Sequence, residues 1–196
     1  MKMLLKVLAL LLLSIQAQGQ ITFKPDSNFH SPFDSTAASW GIVSGLESGY
    51  QFELRLWISG ALSHKKALIR IKKDHQGRWE AEGYNLGNKS KYKAGSAFTK
   101  HWGETWNKLV NDSILVLSGK HLTIYETMID GEKGASAILD GTTYYFELYN
   151  THGVRRYAYH CPEFRRQYEK ANVELARAVR ILDIIFREFR LRWEIC

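Results

Sequence analysis

His101 and Glu104, with Trp102 between them, form a histidine–acid cluster with aromatic cover. An imidazole and a carboxylate at this spacing could act as general base and general acid in a hydrolytic reaction. We therefore keep a cell-envelope hydrolase with a site near His101 and Glu104 as one hypothesis for the function.

The remaining reactive side chains do not fit known catalytic or metal-binding patterns. Cys161 directly follows His160, but neighbours on a strand point to opposite faces and cannot bond as nucleophile and base. Asp130 and Asp140 each precede a glycine, as turn-forming residues do. The seven histidines lack the spacing of a zinc site. We expect no metal and no cofactor, and a binding protein rather than an enzyme.

Aromatic and basic residues in the segment 142–160 indicate a binding surface, with Tyr145, Tyr149 and Arg156 as its candidate residues. A four-residue turn at 150–153 predicts a hairpin that has aromatic pairs on one face and an ion pair on the other. The predicted pairs are Phe146 with Tyr157, Tyr144 with Tyr159, Tyr145 with Ala158, and Glu147 with Arg156.

Three further strands are predicted upstream, because residues 50–59, 67–72 and 79–84 alternate between apolar and polar side chains. A three-residue loop at 75–77 would place Gly77 in the left-handed conformation that such a loop requires. This loop keeps apolar residues on one face and opposite charges on the other. The predicted pairs are Ile71 with Ala81, Ile69 with Gly83, Lys72 with Glu80, and Arg70 with Glu82.

Pairing Glu53 with Arg70 would extend a ladder of opposite charges over three strands, ending at Glu82. Such a ladder could be a binding surface. A solvated sheet face is the simpler interpretation, and each exposed pair would then contribute about 0.2–1 kcal/mol.

Two helices are predicted to cover the apolar face of the sheet. Trp102, Trp106 and Leu109 form one stripe of a short helix. A long helix begins at Pro162 and continues to the end of the chain, with Leu175, Leu182 and Phe189 in its apolar stripe.

A straight helix would hold the two cysteines, Cys161 and Cys196, about 50 Å apart. A disulfide requires Cα atoms within about 7 Å, so we expect no bond between them. Cys196 at the chain end could instead link two chains into a dimer.

Residues 1–19 have the pattern of a cleavable secretory signal, with Lys2 and Lys6 before an apolar run at 7–13 and the small residue Gly19 at the cut. A membrane anchor would need about 20 apolar residues, and no later stretch is long enough either. We expect a soluble product in the periplasm or outside the cell.

The net charge of the chain is +7, and removing Lys2 and Lys6 leaves +5. Because the cations alternate with acids and export takes the protein away from nucleic acid, we expect no nucleic-acid partner. A protein or a component of the cell envelope is the expected partner.

A short pattern runs through the C-terminal half of the chain. It consists of Trp106–Leu109, Asp140-Gly141, Tyr144–Glu147, Arg156, Tyr159 and Pro162, followed by the terminal helix. The pattern resembles that of exported bacterial proteins of the kind found in Bacteroidota, over about residues 100–190. The resemblance implies a fold and a compartment, and no activity comes with it.

Together these observations predict an α+β fold, in which an antiparallel sheet of five to seven strands packs against a long C-terminal helix and a short Trp-containing helix. The predicted organisation is a signal at 1–19, an extended N-terminal arm at 20–49 and one domain at 50–196. The predicted function is that of a non-enzymatic binding module of the cell envelope.

Overall fold

The computed structural model describes residues 21–26, 33–60, 66–85, 90–93, 102–119, 125–129, 132–136 and 141–191. These residues include eight strands, which are β1 (Phe52–Gly60), β2 (Lys66–Lys73), β3 (Trp79–Asn85), β4 (Ser90–Lys93), β5 (Tyr125–Ile129), β6 (Glu132–Ser136), β7 (Thr142–Asn150) and β8 (Gly153–His160). Six of them form one antiparallel sheet in the order β4-β3-β2-β1-β7-β8, and β5 pairs with β6 alone.

The β2–β3 hairpin has the predicted register, with Ile71 opposite Ala81 and Arg70 opposite Glu82. Gly77 takes a φ of 81° in the loop, in the left-handed region where glycine is favoured. The β7–β8 hairpin is also confirmed, and its pairs include Phe146 with Tyr157 and Glu147 with Arg156.

The centre of the sheet differs from the prediction. Arg70 lies opposite Arg55 on β1, whereas Glu53 lies opposite Lys72. The ion pair between Glu53 and Arg70 still forms, because it runs diagonally across the two strands. On its other side β1 pairs with β7, where Leu54 faces Leu148.

The apolar face of the sheet, the inner face, is covered by two helices. They are α2 (Trp102–Asn111) and α4 (Val173–Phe189). The predicted stripe of α4 is buried, since Leu175, Leu182 and Phe189 are 1%, 0% and 7% exposed. Trp106 of α2 packs on Phe52 of the sheet with ring centroids 4.5 Å apart. The α+β class is therefore confirmed.

The prediction of one unbroken C-terminal helix is wrong, because α3 (Pro162–Tyr168) ends before α4 begins. The Asn172 side chain accepts a hydrogen bond of 3.0 Å from the Leu175 backbone N–H. Asparagine is common at this capping position, because its side-chain oxygen accepts from a backbone N–H that the first helical turn leaves unpaired. Residues 114–117, which follow α2, form a turn and its exit.

The break in the helix also removes the argument about the cysteines, which assumed a rigid separation of about 50 Å. Cys161 is fully buried and is disulfide-bonded. Cys196, the other cysteine of the sequence, lies outside the described residues.

The outer face of the sheet is covered as well, which the prediction of an extended arm did not anticipate. Residues 33–49 contain α1 (Asp34–Ser39) and a 3-10 helix (Gly45–Glu47). We call residues 33–49 the arm. Phe33, Ala37 and Ile42 of the arm are at most 6% exposed. The predicted signal at 1–19 lies outside the described residues. Among the described helices none is long and apolar enough to span a bilayer.

We expect the disulfide partner of Cys161 to be Cys196 of the same chain, because the sequence contains two cysteines. Peptide mapping without reductant should then recover the two linked sulfurs, and electrophoresis should give a monomer band. Replacing Cys196 with serine should lower the free energy of unfolding by about 2–4 kcal/mol. A dimer band that reductant removes would support the bond between two chains instead.

Candidate functional site

A set of charged side chains on the outer face of the sheet is shielded from water. We call this set the ionic layer; it consists of the buried Glu53, Arg55, Arg70, Lys72, Glu82 and Glu147 and the half-buried Arg156. Glu53 is 0% and Arg55 1% exposed. The expectation of a solvated ladder is wrong, because the arm excludes water from a face whose residues alternate as in an exposed strand.

Glu53 holds the centre of the ionic layer together. Its Oε1 accepts hydrogen bonds from Nε of Arg55 and Nε of Arg70, each 2.7 Å long. Burial disfavours the charged carboxylate, but the hydrogen bonds and positive charges of Arg70 and Arg55 outweigh burial and lower the pKa of Glu53. Oε2 is buried and has no hydrogen-bond partner among the described residues.

Glu147 organises the neighbouring part of the layer from β7. Its Oε2 accepts a hydrogen bond of 2.8 Å from the indole N–H of Trp57, and its Oε1 accepts one of 3.1 Å from Nε of Arg156. An Nη of Arg156 also donates to the Tyr149 hydroxyl over 3.3 Å. These bonds fix the Arg156 guanidinium at the edge of the layer, beside the arm.

The Tyr149 ring lies between the guanidinium groups of Arg55 and Arg156, whose Cζ atoms are 4.9 Å and 5.6 Å from its centroid. Cations near an aromatic face are attracted by the ring quadrupole. Burial and the nearby Glu147 charge raise the pKa of Tyr149 to about 12, so its hydroxyl is neutral at neutral pH. Gly45 of the arm lies directly on the ring, since a Cβ at this position would be 2.2 Å from Cγ of Tyr149.

The arm is held on the sheet by an apolar cluster and one polar contact. Phe33 stacks on Trp57 with centroids 4.7 Å apart and meets Tyr145 edge-on at 5.0 Å. The Arg55 guanidinium donates a short hydrogen bond to the carbonyl of Val43. The arm and the ionic layer therefore position each other.

A cavity of about 480 Å³ lies between the arm and the sheet, and we call it the arm cavity. This volume is within the range of about 300–1,000 Å³ that is typical of ligand pockets. Its sheet side is formed by Arg55 and Arg156. Its arm side is formed by Asp34, Ala37, Ala38, Gly41, Ile42, Val43, Ser44 and Glu47.

The lining of the arm cavity can bind an anionic group. Guanidinium groups recognise carboxylates and phosphates through paired N–H donors. Arg55 uses Nε and one Nη in the bonds to Glu53 and Val43, and its other Nη has no hydrogen-bond partner among the described residues. Among the described residues no group of three or more His, Cys, Asp or Glu could hold a metal ion.

The structure brings together two of the three candidate binding residues. Tyr149 and Arg156 contact each other at the arm cavity, whereas Tyr145 packs in the apolar cluster with Phe33. Glu104 is exposed on α2, which covers the opposite face of the sheet. His101 lies outside the described residues, so the hydrolase site remains a prediction.

Sequence reasoning missed Arg55 as a lining residue and the arm as a cavity wall. One sequence pattern could have revealed them: in the alternating strand 50–59, Glu53 and Arg55 share a face with Trp57. A tryptophan among charges on one strand face indicates that another element covers it, because a large aromatic side chain gains most from burial.

Comparison of the chain with protein-family models, with curated proteins and with solved structures finds no match. The arm cavity is therefore the feature of the protein that points to a function. The resemblance to exported bacterial proteins stays a prediction.

Replacing Glu53 with glutamine should lower the free energy of unfolding by about 3–5 kcal/mol, because two buried guanidinium groups lose their shared carboxylate. The lowered pKa of Glu53 also means that its stabilisation is complete above the ordinary value of 4.5 and is lost as the pH falls through the folded-state pKa. The free energies of unfolding of the wild type and the variant, measured with urea, should therefore become equal at acidic pH. The exposed Glu80→Gln is the control, with an expected change below about 1 kcal/mol.

Replacing Gly45 with alanine should lower the free energy of unfolding by about 1–3 kcal/mol, because the methyl group and the Tyr149 ring cannot both keep their places. Gly103→Ala on α2 is the matched control. Its Cβ would have ordinary contacts of 3.7 Å or more, so it should stabilise the helix by about 0.5–1 kcal/mol. Equal unfolding midpoints for the two variants would contradict the close contact of arm and ring.

Proposed function

We propose that the protein is a non-enzymatic binding module that holds a small organic anion in the arm cavity. One observation carries the proposal: two guanidinium groups, fixed in place by buried carboxylates, form the sheet side of a cavity of ligand size. Binding sites of this kind need few polar groups, provided that those groups are held in position before the ligand arrives.

The cationic side of the lining supports an anionic ligand. Arg55 and Arg156 form the sheet side of the cavity, and both are guanidinium groups. Paired N–H donors of this kind recognise carboxylates and phosphates. An anion in the cavity would therefore contact the two arginines.

The apolar part of the lining favours an organic anion over an inorganic one. Ala37 and Ile42 are buried, and Val43 beside them is 53% exposed. A ligand with a hydrocarbon body would gain about 25 cal/mol for each Å² of apolar surface it buries there. An inorganic ion would leave these side chains in contact with water.

The compartment is part of the same proposal and depends on the signal pattern of residues 1–19. An exported module that binds a small anion would work in the periplasm or outside the cell, where a component of the envelope is its expected partner. No observation on the described residues favours the hydrolase, since Glu104 and the arm cavity are on opposite sides of the sheet.

Titration with octanoate, followed by NMR and by tryptophan fluorescence, tests the proposal. Trp57 lies under Phe33 of the arm and should report occupancy of the cavity. Arg156→Gln should weaken octanoate binding by at least about tenfold, because a hydrogen bond to a charged group is lost. Arg166→Gln, an exposed arginine on α3, is the matched control and should bind as the wild type does.

Binding that is lost equally in both arginine variants, or retained equally in both, would place the octanoate elsewhere and contradict the proposal. Circular dichroism of each variant shows whether it is folded. The shifts of Ala37 and Ile42 resonances in the wild type locate the ligand without any substitution.

A further inference from the structure

The arm cavity is lined by exposed carboxylates on the arm and by shielded guanidinium groups on the sheet, and from this arrangement we infer that its ligand is a zwitterion: a free amino acid or short peptide with apolar side chains. The carboxylate of the ligand would contact Arg55 and Arg156, and its ammonium group would contact Asp34 and Glu47. The inference rests on the proposed function and specifies the ligand of the same site.

The exposure of the charged lining residues indicates which end of the ligand would face the solvent. Arg55 is 1% exposed and the Arg156 side chain 14% exposed, so the cationic groups lie deep in the cavity. Asp34 and Glu47 are both exposed, so the carboxylates stand on the solvent side. Neither carboxylate has an ion-pair partner among the described residues. The cavity therefore passes from negative at its mouth to positive at its floor.

This gradient discriminates among anions. A ligand with negative charge at both ends would be repelled by Asp34 and Glu47, and a dianion such as phosphate has no apolar surface to bury against Ala37, Ile42 or Val43. A zwitterion places an opposite charge at each end of the cavity. Between its charged ends, an apolar side chain would contact the alanine, isoleucine and valine of the arm.

Isothermal titration calorimetry with chemically blocked ligands tests the inference on the unmodified protein. The probes are leucine, leucyl-leucine, leucyl-leucine amide and N-acetyl-leucyl-leucine. Removing the carboxylate charge in the amide should weaken binding by at least about tenfold, since hydrogen bonds to charged guanidinium groups are lost. Removing the ammonium charge by acetylation should weaken binding by about two- to fivefold, since the two acids are exposed.

A double variant, Asp34→Asn with Glu47→Gln, should abolish the preference for the free amine over the acetylated peptide. It should leave octanoate binding intact or stronger, because the repulsion at the mouth is removed. Glu104→Gln on the other side of the sheet is the control and should keep the preference. Comparison of leucine with leucyl-leucine identifies which of the two ligand sizes the cavity holds.

The outcomes separate this inference from the proposed function. Equal affinity for leucyl-leucine and its acetylated form, together with octanoate binding that needs Arg156, would contradict a zwitterionic ligand. The same result would still support an anion-binding site in the arm cavity. Failure of octanoate and of every leucine probe to bind would overturn both. Because the decisive comparison is made between ligands on the wild-type chain, an unfolded variant cannot obscure the result.

Discussion

The outer face of the sheet depends on one carboxylate that separates two cations. Arg55 and Arg70 are directly opposite each other on β1 and β2, a position in which like charges destabilise a sheet. Glu53 removes the conflict because a single oxygen accepts a hydrogen bond from each guanidinium. The row continues through Glu82 on one side and Glu147 on the other, so that opposite charges alternate with this single exception.

Burial of this row requires the arm, and the arm in turn requires the row. Charged groups away from water are tolerated when each is paired and hydrogen-bonded. In the ionic layer the carboxylates of Glu53, Glu82 and Glu147 pair with the cations. The arm is too short to form a core of its own, and it gains stability by placing Phe33 on Trp57 and Gly45 on Tyr149. The arm cavity lies where this cover is incomplete, which explains why fixed charges border it.

The sequence allowed both hairpin registers to be predicted, because turn residues such as Gly77 and cross-strand pairs such as Glu147 with Arg156 act over a few positions. The helix break was missed because Asn172 is as compatible with a solvated helix face as with a cap. Tyr149 and Arg156 could be named as candidates from one hairpin. The contribution of Arg55 could not, since it arises from pairing between β1 and β7 and from an arm that has no periodic pattern.

The position of β1 in the sheet affects how the chain can fold. Its neighbour β7 belongs to the C-terminal half, so the middle of the sheet can be completed only by closing a long loop of polypeptide. Contacts of such large sequence separation slow folding. The two hairpins can form early and independently, whereas the second edge of β1 has no partner until β7, at residues 142–150, pairs with it. Until then that edge stays open to pairing with the wrong partner.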